Sequence, residues 1–235
     1  MATAIEDVEK FQRLFLQHSE LMQSYYQISF NKPIKVELAD AKTIAKRSGQ
    51  VFKPTSRMDA RVVGFAQKKR DRYNLVIENG SPRLATIDTM IHEMTHIWQY
   101  LNWDDRRLQN YYGRQFREMR TLIYEGMAVW SAIQYLYLIG ESSYAELQEQ
   151  VMKRGLEAEI IRIIQSYLQN NGQWEIEDPY SFGFRFYSEE YPLARNMEPP
   201  KKSTFKNYPP LSERNLKEWA WLVVLEYAEE HGIQL

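Results

Sequence analysis

The sequence of 235 residues contains no cysteine. This absence excludes disulfide-stabilised folds, cysteine nucleophiles, and zinc sites built from thiolates, such as LIM and finger modules, within these residues. A metal bound by this chain must therefore be held by histidine and carboxylate side chains. Histidine is itself scarce, with four in the chain, so each one can be considered separately.

The chain also lacks an excess of charge of either sign and any long hydrophobic run. Thirty basic and thirty-one acidic side chains give a net charge of -1, which does not provide the basic surface that binds nucleic acid or an anionic membrane. No segment reaches membrane-spanning length or resembles a signal peptide. We therefore expect a cytoplasmic protein with a peptide or protein partner, and the composition does not fix its oligomeric state.

What the chain does contain is an H-E-x-x-H pattern, formed by His92, Glu93 and His96 within the segment 86–101. Residues four apart lie on one face of an α-helix, so the two imidazoles can bind a single zinc ion. Glu93 then lies beside the metal without binding it. That is the position of a general base that takes a proton from water activated by the metal.

The residues around this pattern predict that it lies on a helix. Apolar positions recur at helical spacing behind the two histidines: Ile87, Ile91, Met94, Ile97 or Trp98, and Leu101. Ser81 followed by Pro82 is typical of a helix start, with serine as the N-cap and proline in the first turn.

A further ligand is predicted on the next long helical segment, 114–139. Glu125 follows His96 by 29 residues and has mainly apolar neighbours in the sequence, and a carboxylate in such surroundings generally needs a cation. Gly126 and Ala128 are small enough to let the two helices approach each other closely. This approach would allow Glu125 to reach a metal held by the other helix.

The predicted zinc site then consists of His92, His96 and Glu125, with the fourth position left for water, as in catalytic zinc sites. Glu118 is the alternative carboxylate ligand. The presence of Glu93 favours catalysis, because a structural metal site has no need of a general base. The rival hypothesis is a module of the same fold that binds without turnover or uses its metal structurally.

The other two histidines are not predicted to bind metal. His18 lies on a predicted helix at 5–26, and a lone histidine there is more often a surface residue or a satisfied core residue. His231 lies at the end of the last predicted helix, where a cationic histidine interacts favourably with the helix dipole.

The rest of the chain predicts a mainly helical α+β fold. We expect one domain over 1–235, with an N-terminal lobe of about 1–102 and a C-terminal lobe of about 103–235. Further helices are predicted from Asp40 to about Gly49, at 142–170 with a possible division at Gly155, from Asp178-Pro179 onward, and from a Ser212 cap to Gly232. A proline-rich loop is predicted at 192–212.

A small antiparallel sheet is expected beside the motif helix. Alternating residues predict strands at 34–38, 60–67 and 72–79, and the last two form a hairpin through the charged turn at 68–71. This hairpin is either purely structural or offers its outer edge to an extended peptide, as in strand-addition recognition.

These motifs resemble those of the gluzincins, zinc peptidases with H-E-x-x-H and a downstream glutamate. A narrower resemblance is to the peptidase domain of the ubiquitin-activated LIM-domain peptidases that limit plant organ size. It is carried by the segments PRLATIDTMIHEMTHIWQYL, LIYEGMAVWSAIQYL and YSFGFR. The resemblance implies a gluzincin-like fold, Zn²⁺ as cofactor, His92, His96 and Glu125 as ligands, and hydrolysis of peptide bonds with Glu93 as base.

A neutral donor is also expected for the oxyanion of the transition state, and a tyrosine hydroxyl is the most available one. Tyr180 is the first candidate, because it begins the YSFGFR segment and Gly183 there permits close approach to another element. Tyr187, Tyr124 and His231 are the alternatives.

Overall fold

The computed structural model describes residues 4–49, 63–199, 204–206 and 216–235. These parts of the chain form eight α-helices and a small sheet. In chain order the elements are α1 (Val8–Tyr26), β1 (Ile34–Ala39), α2 (Ala41–Ser48), β2 (Gly64–Lys68), β3 (Tyr73–Glu78), α3 (Arg83–Asn102), α4 (Asp105–Tyr112), α5 (Phe116–Leu138), α6 (Ser142–Gln169), α7 (Pro179–Glu190) and α8 (Leu216–Glu230). The protein is thus mainly helical with a small sheet, as the sequence predicts for the fold class.

The sheet is mixed, which corrects the prediction of an antiparallel sheet. β2 and β3 form the predicted antiparallel hairpin, but β1 lies parallel to β3, with Ile34 opposite Tyr73. A parallel pair needs a crossover connection, and the chain between β1 and β3 is long enough to provide one. The strand order is β1-β3-β2, so among the described strands β2 is at an edge, and it packs beside α3. The predicted strand residues 60–62 lie outside the described residues.

The start of α3 differs from the predicted cap. Pro82 occupies the N-cap position without a side-chain hydrogen bond. Ser81 is instead engaged by the N-terminal segment, because the Ile5 N–H donates to its carbonyl at 3.0 Å and Ala4 pairs with Pro82. The predicted apolar face is confirmed: Ile87, Ile91, Met94, Ile97 and Trp98 are buried and Leu101 is partly buried.

Helix α5 is largely buried and packs against both α3 and α7. Gly126 of α5 lies against Gly183 of α7, where a Cβ added to Gly183 would be 2.6 Å from the Gly126 Cα. The close approach predicted for Gly183 is therefore confirmed. The partner predicted for Gly126 is wrong, because the missing side chain admits α7 rather than α3.

The remaining helices follow the sequence closely. Asp178 begins α7 as predicted, since its carboxylate accepts from the Tyr180 and Ser181 N–H groups. Gly155 does not divide α6, which is continuous; its missing side chain makes room for α7, since an added Cβ would collide with the Ser181 hydroxyl. The predicted Ser212 cap lies outside the described residues. No helix in the described ranges is long and apolar enough to cross a membrane.

Candidate metal centre

Three side chains from α3 and α5 converge on one point. His92 Nε2 and His96 Nε2 are 3.1 Å apart, and each is 3.2 Å from Oε2 of Glu125. The three donor atoms therefore form a nearly equilateral triangle, here called the His-His-Glu cluster. In the parts of the chain that the structure describes, it is the one group of three or more histidine, aspartate or glutamate residues close enough to hold a metal.

The dimensions of the cluster fit a zinc ion. Ligand atoms about 2.0–2.1 Å from a zinc in tetrahedral geometry are about 3.3 Å from one another, close to the separations of 3.1 and 3.2 Å found here. Two imidazoles and one carboxylate are also a donor set found in catalytic zinc sites. The predicted alternative Glu118 is not in the cluster; it accepts a hydrogen bond from the Ile176 N–H at 3.4 Å.

The electrostatics of the cluster favour a bound cation. Burial lowers the pKa of His96, but the Glu125 carboxylate more than offsets this and raises it to about 9. Burial raises the pKa of Glu125, but the two histidines hold it well below its ordinary value. Glu125 therefore stays ionised, and in the metal-free protein a proton on His96 provides the positive charge.

His96 is oriented by Gln99, a residue that the sequence interpretation missed. Gln99 Oε1 lies 2.8 Å from His96 Nδ1, and Gln99 Nε2 donates to the Tyr124 carbonyl at 3.0 Å. When the Nδ1–H donates to Gln99, Nε2 is left to face the cluster, as a metal-binding imidazole requires. Gln99 is fully buried. Its position three residues after His96, on the same helix face, is the signal that identifies it.

His92 is held in a different way. Its ring stacks with the ring of Tyr180, with centroids 6.3 Å apart and an angle of 25° between the planes. Asp88 lies one helical turn before His92. Burial raises the pKa of Asp88 to about 6, against the lowering effect of His92.

Glu93 lies beside the cluster without joining it, as the sequence predicts. Burial raises the pKa of Tyr100 to about 12, and the charge of the nearby Glu93 carboxylate contributes to this rise. Burial and the charges of Glu125 and Glu93 likewise raise the pKa of Tyr180 well above its ordinary value. Glu93 has no hydrogen bond within the described ranges.

The candidate oxyanion donors lie in different surroundings. Tyr180 lies at the cluster, where its ring stacks on His92, and is 44% exposed. Tyr187 is fully buried and neighbours other tyrosines instead. The Tyr124 hydroxyl donates to Asp105 at 2.7 Å. His231 is exposed at the end of α8, where its Nδ1 lies 2.8 Å from the carbonyl of Tyr227.

Tyr100 is a second tyrosine at the cluster that the sequence interpretation missed. Its ring stacks on His96, with centroids 6.1 Å apart and an angle of 16° between the planes. It follows His96 by one helical turn, so the i, i+4 spacing is the signal that identifies it. By contrast, His18 lies in the core away from the cluster: it is buried, its Nδ1 is 2.8 Å from the Tyr135 hydroxyl, and its Nε2 has no partner among the described residues.

Comparison with known proteins adds no identification. No model of a known protein family matches the chain, and no curated protein or solved structure matches it.

Proposed function

We propose that this protein is a zinc-dependent peptidase of the gluzincin kind. The observation that carries the proposal is the His-His-Glu cluster, whose three donor atoms have zinc-like spacing, with Glu93 beside it. His92, His96 and Glu125 would hold the ion. When bound there, zinc supplies a Lewis acid that polarises a peptide carbonyl and makes water easier to deprotonate.

Glu93 is the general base and acid of the proposed reaction. As a base it takes a proton from the attacking water, and as an acid it passes this proton to the nitrogen of the leaving amine. Two observations support this role. Glu93 has no hydrogen bond within the described residues. It also lies close enough to His96 for its charge to help Glu125 raise the pKa of that imidazole against the lowering effect of burial.

Tyr180 is the proposed oxyanion donor. Burial and two nearby carboxylates raise its pKa, so its hydroxyl keeps its proton at neutral pH. A neutral O–H aimed at developing negative charge stabilises the transition state more than the ground state. The stacking of Tyr180 on His92 supports this assignment over Tyr187, which is buried away from the cluster.

The edge strand β2 supports a peptide or protein as the substrate. β2 packs against α3 and pairs with β3 on one side, and among the described strands none pairs with its other side. An extended peptide can add to such an edge through main-chain hydrogen bonds. The sequence-based alternative that this edge is used in recognition thus becomes part of the proposal.

The test is metal analysis and peptide cleavage with the wild type, Glu93→Gln and the control Glu118→Gln. All three are expected to hold one zinc ion per chain, because none of the changes removes a proposed ligand. A diverse peptide library should be cleaved by the wild type and Glu118→Gln but not by Glu93→Gln. Zinc in all three proteins without cleavage by any would instead support a binding module, and no zinc in the wild type would refute the proposal.

A further inference from the structure

A cleft lies next to the His-His-Glu cluster, on the side of His96. It has a volume of about 550 Å³ and is lined by the Ala66–Lys68 stretch of edge strand β2, by Tyr100, and by Arg120 and Tyr124 of α5. We call it the Arg120 cleft. Tyr100 forms the boundary between the cleft and the cluster, because its ring stacks on His96.

The two carboxylates that line the cleft already have partners. Asp105 accepts from the Tyr124 hydroxyl at 2.7 Å and from Arg120 Nε at 2.8 Å, with a different oxygen for each. Asp104 accepts from the Arg106 backbone N–H at 3.0 Å and forms an ion pair with its guanidinium at 2.6 Å. Neither carboxylate therefore requires a ligand cation.

The donors that line the cleft are less fully used. Arg120 is fixed by its Nε bond to Asp105 and by contact with the Tyr124 ring, whose centroid is 4.1 Å from the guanidinium carbon. Within the described ranges, its two terminal nitrogens have no hydrogen bond, and the Lys68 ammonium has neither a hydrogen bond nor an ion pair. The Arg120 side chain remains 31% exposed, so the free nitrogens can reach a ligand.

The charges that line the cleft balance in number, with Lys68 and Arg120 against Asp104 and Asp105. Asp104 is paired with Arg106 outside the lining and Asp105 with Arg120, which leaves the Lys68 charge without a partner among the described residues. A guanidinium held in place on one edge and one face still offers two parallel N–H groups. That geometry matches a carboxylate, which it can bind in a bidentate manner.

We propose that the Arg120 cleft is a substrate subsite for a carboxylate, with Arg120 as its main contact and Lys68 as a second one. This inference rests on the proposed peptidase function. Because one aromatic ring separates the cleft from His96, the carboxylate would belong to a residue close to the bond that is cleaved. It is either an aspartate or glutamate side chain or the free carboxyl terminus of the substrate.

Binding can be measured without turnover in the Glu93→Gln variant. Three degenerate octapeptide pools are compared by equilibrium dialysis and mass spectrometry. One contains glutamate and has an amidated terminus, the second has glutamine in place of glutamate and a free terminus, and the third has glutamine and an amidated terminus. We expect one of the first two pools to be retained about tenfold more than the third, since a hydrogen-bonded charge typically gives at least this factor. Retention of the first pool identifies a side-chain carboxylate, and retention of the second a terminal one.

Substitutions then assign the effect to the cleft. In the Glu93→Gln background, Arg120→Gln and Lys68→Gln should reduce the preference, and Arg117→Gln, an exposed change one turn away on α5, should leave it intact. Lys68 lies at an exposed strand end, so its variant remains informative if Arg120→Gln does not fold. Equal retention of all three pools would overturn the proposal, as would a preference that survives both substitutions.

The dialysis is repeated on the metal-free protein, because Arg120 and Lys68 are not among the proposed ligands. Carboxylate preference in a protein that binds no zinc would keep the subsite and refute the peptidase. Cleavage of peptides without any carboxylate preference would refute the subsite alone.

Discussion

At the scale of single residues, the candidate metal centre depends on which ring nitrogen of each histidine faces the cluster. Nε2 of both His92 and His96 points inward, and Gln99 accounts for this at His96 by engaging Nδ1. The same glutamine donates to the carbonyl of Tyr124, the residue before Glu125. One buried amide thus orients a proposed ligand on α3 and fixes its distance from the proposed ligand on α5.

The residue-scale prediction concerns Tyr180. Tyr180→Phe removes the proposed oxyanion donor but keeps the aromatic ring that stacks on His92, so zinc binding and fold should be unchanged. Loss of one such donor typically lowers kcat by about a hundredfold, and KM should change little because the interaction forms in the transition state. Steady-state kinetics on a cleaved peptide measures both parameters.

Tyr187→Phe is the matched control. The Tyr187 hydroxyl is buried and has no hydrogen-bond partner in the described structure, so its removal should leave kcat and stability nearly unchanged. Undiminished kcat in Tyr180→Phe, or a large loss in Tyr187→Phe, would show that the donor has been assigned to the wrong residue.

At the scale of elements, the site depends on how α5 packs between its neighbours. Its contact with α7 is made through Gly126 and Gly183, whose backbones touch. The same contact keeps α7, and therefore Tyr180 at its start, beside the N-terminal half of α5, which carries Glu125.

Gly183→Ala is predicted to destabilise the protein. The added Cβ would lie 2.6 Å from the Gly126 Cα, which is backbone and cannot move aside without shifting a helix. Overpacking of this kind typically costs about 1–3 kcal/mol, measured as a lower free energy of unfolding in urea. Ser188→Ala on the same helix is the control, because its buried hydroxyl has no partner within the described residues. Wild-type stability in Gly183→Ala would contradict the packing argument.

The elements also show where sequence reasoning succeeds and where it fails. Apolar spacing and local signals located α3, and the Asp178-Pro179 pair marked the start of α7, because these features depend on residues close in the chain. The parallel pairing of β1 with β3 could not be read from local alternation, since it depends on residues about forty positions apart. The N-cap position is occupied by Pro82 rather than the predicted Ser81, whose carbonyl accepts a hydrogen bond from the distant Ile5.

The candidate site divides in the same way. His92, His96 and Glu93 follow from helical spacing alone, and Glu125 required an argument about a carboxylate among apolar residues. The link from Gln99 to Tyr124 spans 25 residues and depends on the packing of α3 against α5. The sequence alone did not indicate a role for Arg120, because that role depends on the contacts with Asp105 and Tyr124 that the fold creates.

At the scale of the whole molecule, the stability of the metal-free protein should depend on pH through His96. Its pKa is 6.5 when unperturbed and about 9 in the folded protein, where Glu125 outweighs the effect of burial. A raised folded-state pKa contributes stability that is fully present below pH 6.5 and is lost as the pH rises through about 9. The protein should therefore unfold more easily in that window than below it.

His96→Gln provides the reference for this measurement, because it lacks the group that titrates in this window. Urea unfolding of both metal-free proteins, repeated across the pH range, gives the difference in free energy of unfolding. The wild-type contribution relative to His96→Gln should decrease from pH 6.5 toward pH 9. A difference that stays constant across this window would contradict the coupling of His96 to Glu125.

The most direct test of the central claim is a competitive zinc titration of the wild type, Glu125→Ala and Glu118→Ala, each first stripped of metal. The two glutamates lie on the same helix, but only Glu125 is in the His-His-Glu cluster. The wild type and Glu118→Ala should bind one zinc ion per chain with equal affinity. Glu125→Ala should bind zinc at least about a hundredfold more weakly. Removing a residue that only supports a ligand already lowers metal affinity about 10–100-fold, and Glu125 is a proposed ligand itself. Near-wild-type zinc affinity in Glu125→Ala would contradict the three-ligand site.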